Sequence, residues 1–357
     1  MIKDKSIFIH NVYYMLSYAF QDLQSDDEDD LAGESFEHLH DLLAALLAKG
    51  IARQIKQGLH CEYRSYIEDL PALHGKINLP GTIRNRLSCK HTLRCEHDEL
   101  SENNLLNQVI KTTGMILLRH GNVCLQRHSA LKKCLLYLSD VNEVEPTSIR
   151  WSDIRFTRNT RSYRTLLSIC HLILQGMILT NEHGEIHLMT YIKPDYMERL
   201  FEKFILNYYN VECSPIKASS TQIKWALDDD SSSTMLPTMQ SDIMLNYKNQ
   251  VLIIDAKYYT HSTQKNWDKH TIVSANLYQI FTYVKNKQAE LNQSGGSRQV
   301  SGMLLYARTD EDIQPDGVYQ MSGNQISVTT LDLNCPFEQL SAQLNSIAAT
   351  HFETVWI

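Results

Sequence analysis

The amino-acid sequence predicts an α+β N-terminal domain, made of helices with a small β part, followed by an α/β C-terminal domain. Most of the first 180 residues carry apolar side chains at helical spacing, interrupted by short alternating segments at 61–95. Beyond about residue 190 the predicted order becomes helix, strand, strand, helix, strand, which is typical of an α/β unit. We therefore expect an N-terminal domain over 1–189 and a C-terminal domain over 190–357, both of ordinary domain size.

In the first half, apolar periodicity predicts five helices, over 11–23, 36–59, 101–120, 129–141 and 161–179. Ser101 is the expected N-cap of the third. Between the second and third helices, Pro71, Gly75, Pro80 and Gly81 break the chain into short alternating pieces. These pieces predict small β-strands from Cys61 to about Cys95.

In the second half, Pro194 stands at the favoured first position of a helix over 194–210. Two β-rich runs follow at 241–247 and 250–259, and a helix is expected near 274–290. Two further strands are predicted at 300–308 and 324–333.

Composition and charge exclude several classes of protein. Of the 357 residues, 43% are hydrophobic and 21% are charged, which excludes a disordered or collagen-like chain. The longest apolar stretch, 166–179, is too short to span a bilayer and is broken by polar side chains. The first residues lack the pattern of a signal peptide, so we expect a cytoplasmic protein with no membrane partner.

Charge is distributed unevenly along the chain. Residues 52–175 hold 18 basic and 11 acidic side chains, a net charge of +7, whereas 1–51 and 176–357 each carry −7. The acidic run 26–30 predicts a solvated loop between two helices. The basic middle suits nucleic acid or an acidic protein surface as a partner.

Metal ligation by cysteine or histidine finds little support in the spacing. The eight cysteines include no CxxC pair, which favours reduced thiols over a zinc site. Neither His38/His40 nor His183/His187 has a Glu or Cys that completes a recognisable ligand set, so packing or surface roles are favoured.

The segment 241–259 carries the most specific chemical signal. Its two strands flank a short polar stretch, and a two-residue loop at Lys248 and Asn249 would place Asp242 directly opposite Asp255. Lys257 shares the face of Asp255, because strand side chains alternate with period two.

Two opposed carboxylates repel each other, so this hairpin needs a compensating group. A divalent cation is the simplest one, since Mg²⁺ prefers carboxylate and phosphate oxygens. The alternative is an exposed edge hairpin with a surface salt bridge. Asp255 ends an apolar run expected to be buried on both faces, which favours a functional role.

The pattern D-(13)-D-x-K on paired strands resembles the PD-(D/E)xK nuclease superfamily. The first aspartate lacks its preceding proline, and the literal Pro194–Asp195 pair begins a helix instead. Gln279 and Tyr283, one helical turn apart and 22 residues after Lys257, match the Q-x-x-x-Y signature of RecB-type nucleases.

A closer resemblance extends from about residue 10 to residue 310. The segments HNVYYMLSYAF, GKINLPGTIR, LLNQVIKTT and NTRSYR, followed by LPTMQSDI, LIIDAKYY and NLYQIFTY, resemble in the same order the McrC family. McrC proteins are nuclease subunits of McrBC modified-cytosine restriction systems.

This resemblance implies a DNA endonuclease subunit that uses Mg²⁺, with Mn²⁺ as a substitute, in a restriction-endonuclease-like C-terminal domain. Asp242, Asp255 and Lys257 would take the core catalytic positions, and Glu202 the place of an extra acidic metal ligand. Gln279 and Tyr283 would orient the lysine or contact the DNA backbone. The alternative for Glu202 is a solvent-facing side chain on an amphipathic helix.

The resemblance also implies a partner, a McrB-like AAA-type ring that hydrolyses GTP. The sequence has no P-loop of its own, so this chain alone should bind no nucleotide. Arginines interleaved with aromatic residues at 150–164 can bind phosphates or act in trans on a nucleotide. By resemblance Arg158 and Asn159 are the pair that stimulates the partner; the alternative is that these arginines only cap and solvate the next helix.

Two other function classes remain open at this stage. One is a standalone nuclease of DNA repair or defence. The other is a non-catalytic adaptor of an AAA-type ring, which would have no need for opposed buried carboxylates.

Overall fold

The computed structural model describes residues 9–19, 36, 38–177, 179–182, 185–188, 192–227, 235–259, 261–266, 269–293 and 298–352. The acidic run 26–30, His183 and the predicted domain boundary at 189–190 lie outside the described residues. None of the helices in these ranges combines the length and the apolar character that crossing a membrane requires.

The chain divides into two compact units, 40–190 and 1–39 together with 191–357. The first 39 residues therefore join the C-terminal unit, whereas the sequence predicts one continuous N-terminal domain over 1–189. The cause lies in helix α1 (Ile9–Ala19), which packs on the helix Pro194–Glu212. The Tyr18 and Phe204 rings lie 5.7 Å apart, and the Tyr18 hydroxyl donates to Glu212 Oε1 at 2.6 Å. Periodicity identifies an amphipathic helix but not the helix against which it packs.

The unit 40–190 contains helices and two small antiparallel sheets. Its elements in chain order are α2 (Leu39–Gln57), β1 (Glu62–Leu70), β2 (Lys76–Ile77), α3 (Leu79–Leu87), β3 (Leu93–Ser101), α4 (Leu105–His120), α5 (Leu125–Leu136), α6 (Tyr163–Gly176), β4 (Leu179–Glu182) and β5 (Glu185–Leu188). β3 lies between β1 and β2, and β4 pairs with β5. The predicted combination of helices with a small β part is confirmed in this unit.

Two local predictions in this unit are wrong. Helix α3 replaces the strands expected around Pro80 and Gly81, because the Asn78 side chain caps Gly81 N at 3.0 Å and Pro80 occupies the first turn. Helix α4 begins after Asn104, whose side chain accepts from Asn107 N at 3.2 Å. Ser101, the expected cap, instead ends strand β3.

The second unit contains a six-stranded mixed sheet. After α7 (Pro194–Glu212), its elements are β6 (Lys217–Ser219), β7 (Gln222–Ile223), β8 (Met239–Gln240), β9 (Ile243–Tyr247), β10 (Gln250–Lys257), β11 (Gln264–Asn266), β12 (Lys269–Thr271), α8 (Ser274–Gln293), β13 (Gln299–Ala307), β14 (Gly317–Met321), β15 (Asn324–Leu331) and α9 (Phe337–Phe352). The sheet order is β14-β15-β13-β10-β9-β6, with β10, β13 and β15 parallel and the others antiparallel. The predicted α/β character of this part is confirmed.

Strand β10 is the strand that positions the candidate site. Every residue from Val251 to Lys257 is buried, as the apolar run predicts for a strand covered on both faces. Val251 and Ile253 share a core cluster with Ile280 and Val284 of α8. The polar residues at the end of β10 are therefore held by a rigid, close-packed sheet.

Candidate active site

The hairpin β9–β10 has the predicted register. Gln250 pairs with Tyr247, and the ladder continues to Ile254 paired with Ile243. Lys248 adopts a left-handed conformation in the connecting turn, with φ of 49°. Asp242 directly precedes β9, one step beyond the last ladder pair, and so belongs opposite Asp255.

The two aspartates meet at this end of the hairpin. Asp242 Oδ2 accepts a hydrogen bond from the Ala256 amide at 3.0 Å, which fixes the Asp242 carboxylate beside β10. Asp255 is 1% exposed, and neither of its carboxylate oxygens accepts a hydrogen bond from any described residue. Lys257 Nζ lies 3.2 Å from Asp255 Oδ1, so a charge contact is the main compensation for this buried acid.

The electrostatics of the pair follow from burial and proximity. Burial raises the pKa of Asp255 to about 7, with a further contribution from the Asp242 carboxylate and an opposing one from Lys257. Burial acts to lower the pKa of Lys257, but the carboxylates of Asp255 and Asp242 outweigh it and raise that pKa above its ordinary value. The lysine is therefore held as a cation among carboxylates.

Helix α7 adds two more carboxylates. Glu202 and Glu198 are half-buried and one helical turn apart, hence on one face. Burial, together with the charges of Asp242 and Glu198, raises the pKa of Glu202 to about 7. The pKa of Glu198 is raised by burial as well and responds to both Lys257 and Asp242. The half-buried Glu202 thus lies close enough to Asp242 for that charge to act on its pKa, and its role as a metal ligand stays a prediction.

Glu198 is a site residue that the sequence reasoning missed. Its spacing of four from Glu202 was the available signal. Without the packing of α7 on the β9–β10 hairpin, that spacing is common to many amphipathic helices. The face of α7 toward the sheet is known only from the structure.

The donor set fits a hard divalent cation. The decisive observation is the burial of Asp255 beside the Asp242 carboxylate, with the Lys257 ammonium as the neighbouring cation. One ammonium group does not balance two opposed carboxylates, whereas a divalent cation would. Asp242 and Glu202 supply further oxygens of the type that Mg²⁺ prefers. The oxygens of Asp242, Asp255 and Glu202 do not all lie within 4.8 Å of one another. In the described ranges, three ligand-type side chains approach that closely at a different place.

The predicted pair Gln279 and Tyr283 lies on α8. Gln279 Nε2 donates to the Tyr283 hydroxyl at 3.1 Å, as residues one turn apart can. Among the hydrogen bonds of the described residues, neither side chain reaches Lys257. Their predicted role toward the lysine or DNA stays a prediction.

Another polar side chain of α8, which the sequence reasoning missed, hydrogen-bonds two tyrosines. Asn276 is 5% exposed and donates to the Tyr306 hydroxyl at 2.9 Å, and it accepts from the Tyr259 hydroxyl at 3.4 Å. Tyr306 is the register partner of Lys257 on β13. The charge of Lys257 influences the pKa of both tyrosines, although burial is the main cause that raises each pKa.

In the unit 40–190, Arg158 and Asn159 occupy the tip of a tight turn. The turn closes between Thr160 N and Thr157 O at 3.2 Å, and Thr157 N donates to the Thr160 hydroxyl at 2.8 Å. Thr160 is 3% exposed, whereas Arg158 and Asn159 are exposed. Within the described part of the chain, neither of these two side chains makes a hydrogen bond or ion pair, so the turn leaves both available to a partner.

A family model and a curated relative each match most of the chain. The family described as "McrBC 5-methylcytosine restriction system component" matches residues 4–307. A curated relative from Escherichia coli K12, the type IV methyl-directed restriction enzyme EcoKMcrBC, is 27% identical over 329 residues, covering 91% of this chain and 92% of the relative.

A solved structure shows a similar fold. It is a half-complex from a tetradecameric assembly of Thermococcus gammatolerans McrB AAA+ hexamers with bound McrC. The superposition has a TM-score of 0.53 at 18% sequence identity and covers 95% of this chain and 76% of the other.

Proposed function

The chain belongs to the McrBC 5-methylcytosine restriction system component family, and we propose that it is the DNA-cleaving subunit of such a system. The proposed activity is Mg²⁺-dependent hydrolysis of DNA phosphodiester bonds by a PD-(D/E)xK-type domain. The observation that carries it is the buried Asp255 carboxylate beside Asp242 and Lys257.

In this proposal Asp242 and Asp255 hold the cation, with Glu202 as a further oxygen ligand. A cation held by these residues would supply Lewis-acid stabilisation of the charge on the phosphate and would make water more acidic at the site. The Lys257 ammonium, 3.2 Å from Asp255 Oδ1, would hydrogen-bond a phosphate oxygen or the attacking water. Asn276, through Tyr306 and Tyr259, limits the freedom of the side chains around the lysine.

The proposal includes a partner, a McrB-like GTPase ring, with double-stranded DNA as substrate. Its support is the family, the curated relative and the exposed Arg158–Asn159 turn. An arginine on such a turn can stabilise charge on a nucleotide bound by another protein. Target choice and GTP hydrolysis would then belong to the partner.

The test is cleavage of modified and unmodified plasmid DNA with Mg²⁺ and GTP, with and without the GTPase encoded beside this chain. We expect cleavage of modified DNA only with both proteins and Mg²⁺, and none with Asp242→Asn. Cleavage by the lone chain would support an autonomous nuclease. GTPase stimulation without cleavage under every condition would support the adaptor.

A further inference from the structure

A second group of ligand-type side chains lies in the unit 40–190. His74, His97 and Glu99 each bring one ligand atom to a place where these atoms lie within 4.8 Å of one another. In the described ranges this is the one place where three His, Cys, Asp or Glu side chains meet in this way. Neither the nuclease site nor the Arg158 turn uses these residues.

The small sheet builds this group from two segments. His97 and Glu99 are two residues apart on β3 and so share one face, with His97 Nε2 3.3 Å from Glu99 Oε1. His74 comes from the loop before β2, and its ring meets the His97 ring edge-on with centroids 4.4 Å apart.

Gly75 makes this close approach possible. Its φ is 68°, a left-handed conformation that glycine adopts without strain. A Cβ at this position would lie 2.4 Å from the Glu96 carbonyl oxygen and 2.8 Å from His97 Cβ. The loop can therefore bring His74 against β3 only because residue 75 has no side chain.

An independent observation concerns the His97 ring. Its side chain is 6% exposed, stacked on Tyr66 at 5.8 Å, and its Nδ1 is buried with no hydrogen-bond partner among the described residues. His40 offers the contrast: it is buried too, but its Nδ1 accepts from the Asn122 amide at 2.8 Å. A buried imidazole with an unused nitrogen is costly unless a group binds that nitrogen.

We propose that His74, His97 and Glu99 bind a first-row divalent transition metal, with Zn²⁺ as the preferred ion and solvent completing the coordination. Two imidazoles and one carboxylate are a ligand set suited to Zn²⁺. Mg²⁺ prefers oxygen ligands throughout, so it should bind this pair of imidazoles poorly. The bound ion cross-links the loop that carries His74 to strand β3 and thereby stabilises the small sheet.

The site is accessible, which makes it testable without disrupting the core. His74 and Glu99 are exposed, so their replacement leaves the buried packing unchanged. His91 and Glu68 are exposed residues of the same unit outside the group and provide matched controls.

The experiment is calorimetric titration of Zn²⁺ into the full-length, chelator-treated protein, with excess Mg²⁺ present to occupy the carboxylate site. We expect one Zn²⁺ per chain, weakened at least about tenfold by His74→Ala and by Glu99→Gln, and unchanged by His91→Ala and Glu68→Gln. Co²⁺ in place of Zn²⁺ should give visible absorption bands of a low-symmetry site in wild type and the controls, and lose them in the two ligand variants. Zn²⁺ should also raise the melting temperature of wild type but not of His74→Ala.

Two results would overturn the proposal. One is the absence of Zn²⁺ and Co²⁺ binding in the folded wild-type chain. The other is binding that His74→Ala and Glu99→Gln leave at the level of the controls, which would assign the ion to other groups, such as the free cysteines.

Discussion

Lys257 Nζ lies 3.2 Å from Asp255 Oδ1 at a point where the lysine side chain is 10% exposed and the aspartate 1%. The two residues are separated by one position on β10 and share a face of the sheet. Asp242 joins them from the other strand of the hairpin through its bond to the Ala256 amide. One local hairpin thus brings together two carboxyl groups and one ammonium group in a site largely shielded from water, where charges interact most strongly.

Glu202→Gln should stabilise the metal-free protein at pH 8. The pKa of Glu202 is raised to about 7 in the folded state, which means that the folded protein holds the ionised carboxylate less favourably than the unfolded chain does. At pH 8 the carboxylate is ionised in both states, so it lowers the free energy of unfolding, and a neutral side chain removes that cost. Because the residue is partly exposed, we expect a gain of about 1 kcal/mol in unfolding free energy. Urea denaturation at pH 8 in a chelator measures it, with Asp316→Asn as a surface control. If Glu202→Gln were no more stable than that control, the raised pKa of Glu202 would be contradicted.

Arg158→Ala should lower partner GTP hydrolysis in the complex at least about tenfold, because an arginine acting in trans contributes strongly to this chemistry. The exposed Arg164, on the first turn of α6, is the matched control. Turnover of GTP by the assembled complex is the measurement, with complex formation checked separately. Equal rates for Arg158→Ala and Arg164→Ala would assign the arginines of this segment to solvation alone.

His351 should make the protein less stable in acid. Burial lowers the pKa of His351 to about 4, so the imidazole is neutral in the folded protein and protonated when unfolded below its ordinary pKa near 6.5. Its contribution is present above pH 6.5 and is lost as pH falls toward 4, by at most about 3 kcal/mol. Unfolding free energies of wild type and His351→Gln between pH 4 and 8 should converge at low pH. Parallel curves would contradict this prediction.

Gly302→Ala should destabilise the sheet. A Cβ on this residue of β13 would lie 2.8 Å from Ile280 Cγ1 and 2.8 Å from Val284 Cγ2, both on α8. Overpacking of this kind costs about 1–3 kcal/mol. A companion variant, Gly302→Ala with Val284→Ala, relieves one clash and should recover part of the loss in thermal denaturation. A melting temperature unchanged by Gly302→Ala would show that α8 can move away from β13 without cost.

The sequence was sufficient for the hairpin because its information is local. A two-residue loop at Lys248 and Asn249 sets the register, because paired residues then lie equally far from the loop on the two strands. The observed pairing keeps this register as far as Ile254 and Ile243. The burial of Asp255 followed from the apolar run before it.

What the sequence did not reveal depends on contacts between distant segments. The packing of α1 on α7 and the approach of Glu198 to Asp242 and Lys257 join residues that no local pattern connects. The approach of His74 to His97 depends on a single backbone conformation at Gly75. Helix α3 was missed for another reason: Pro80 and Gly81 also fit a turn, and the Asn78 cap decides the outcome.

The most direct test is single-turnover cleavage of modified DNA by the complex of this chain with the proposed GTPase partner, comparing wild type, Asp255→Asn and the surface variant Asp316→Asn. GTP hydrolysis is followed in the same reactions. We expect Asp255→Asn to lose cleavage by at least about 100-fold, as the loss of a cation ligand implies, while GTP hydrolysis persists and Asp316→Asn matches wild type. Cleavage by Asp255→Asn at the wild-type rate would contradict the assignment of this hairpin as the nuclease centre.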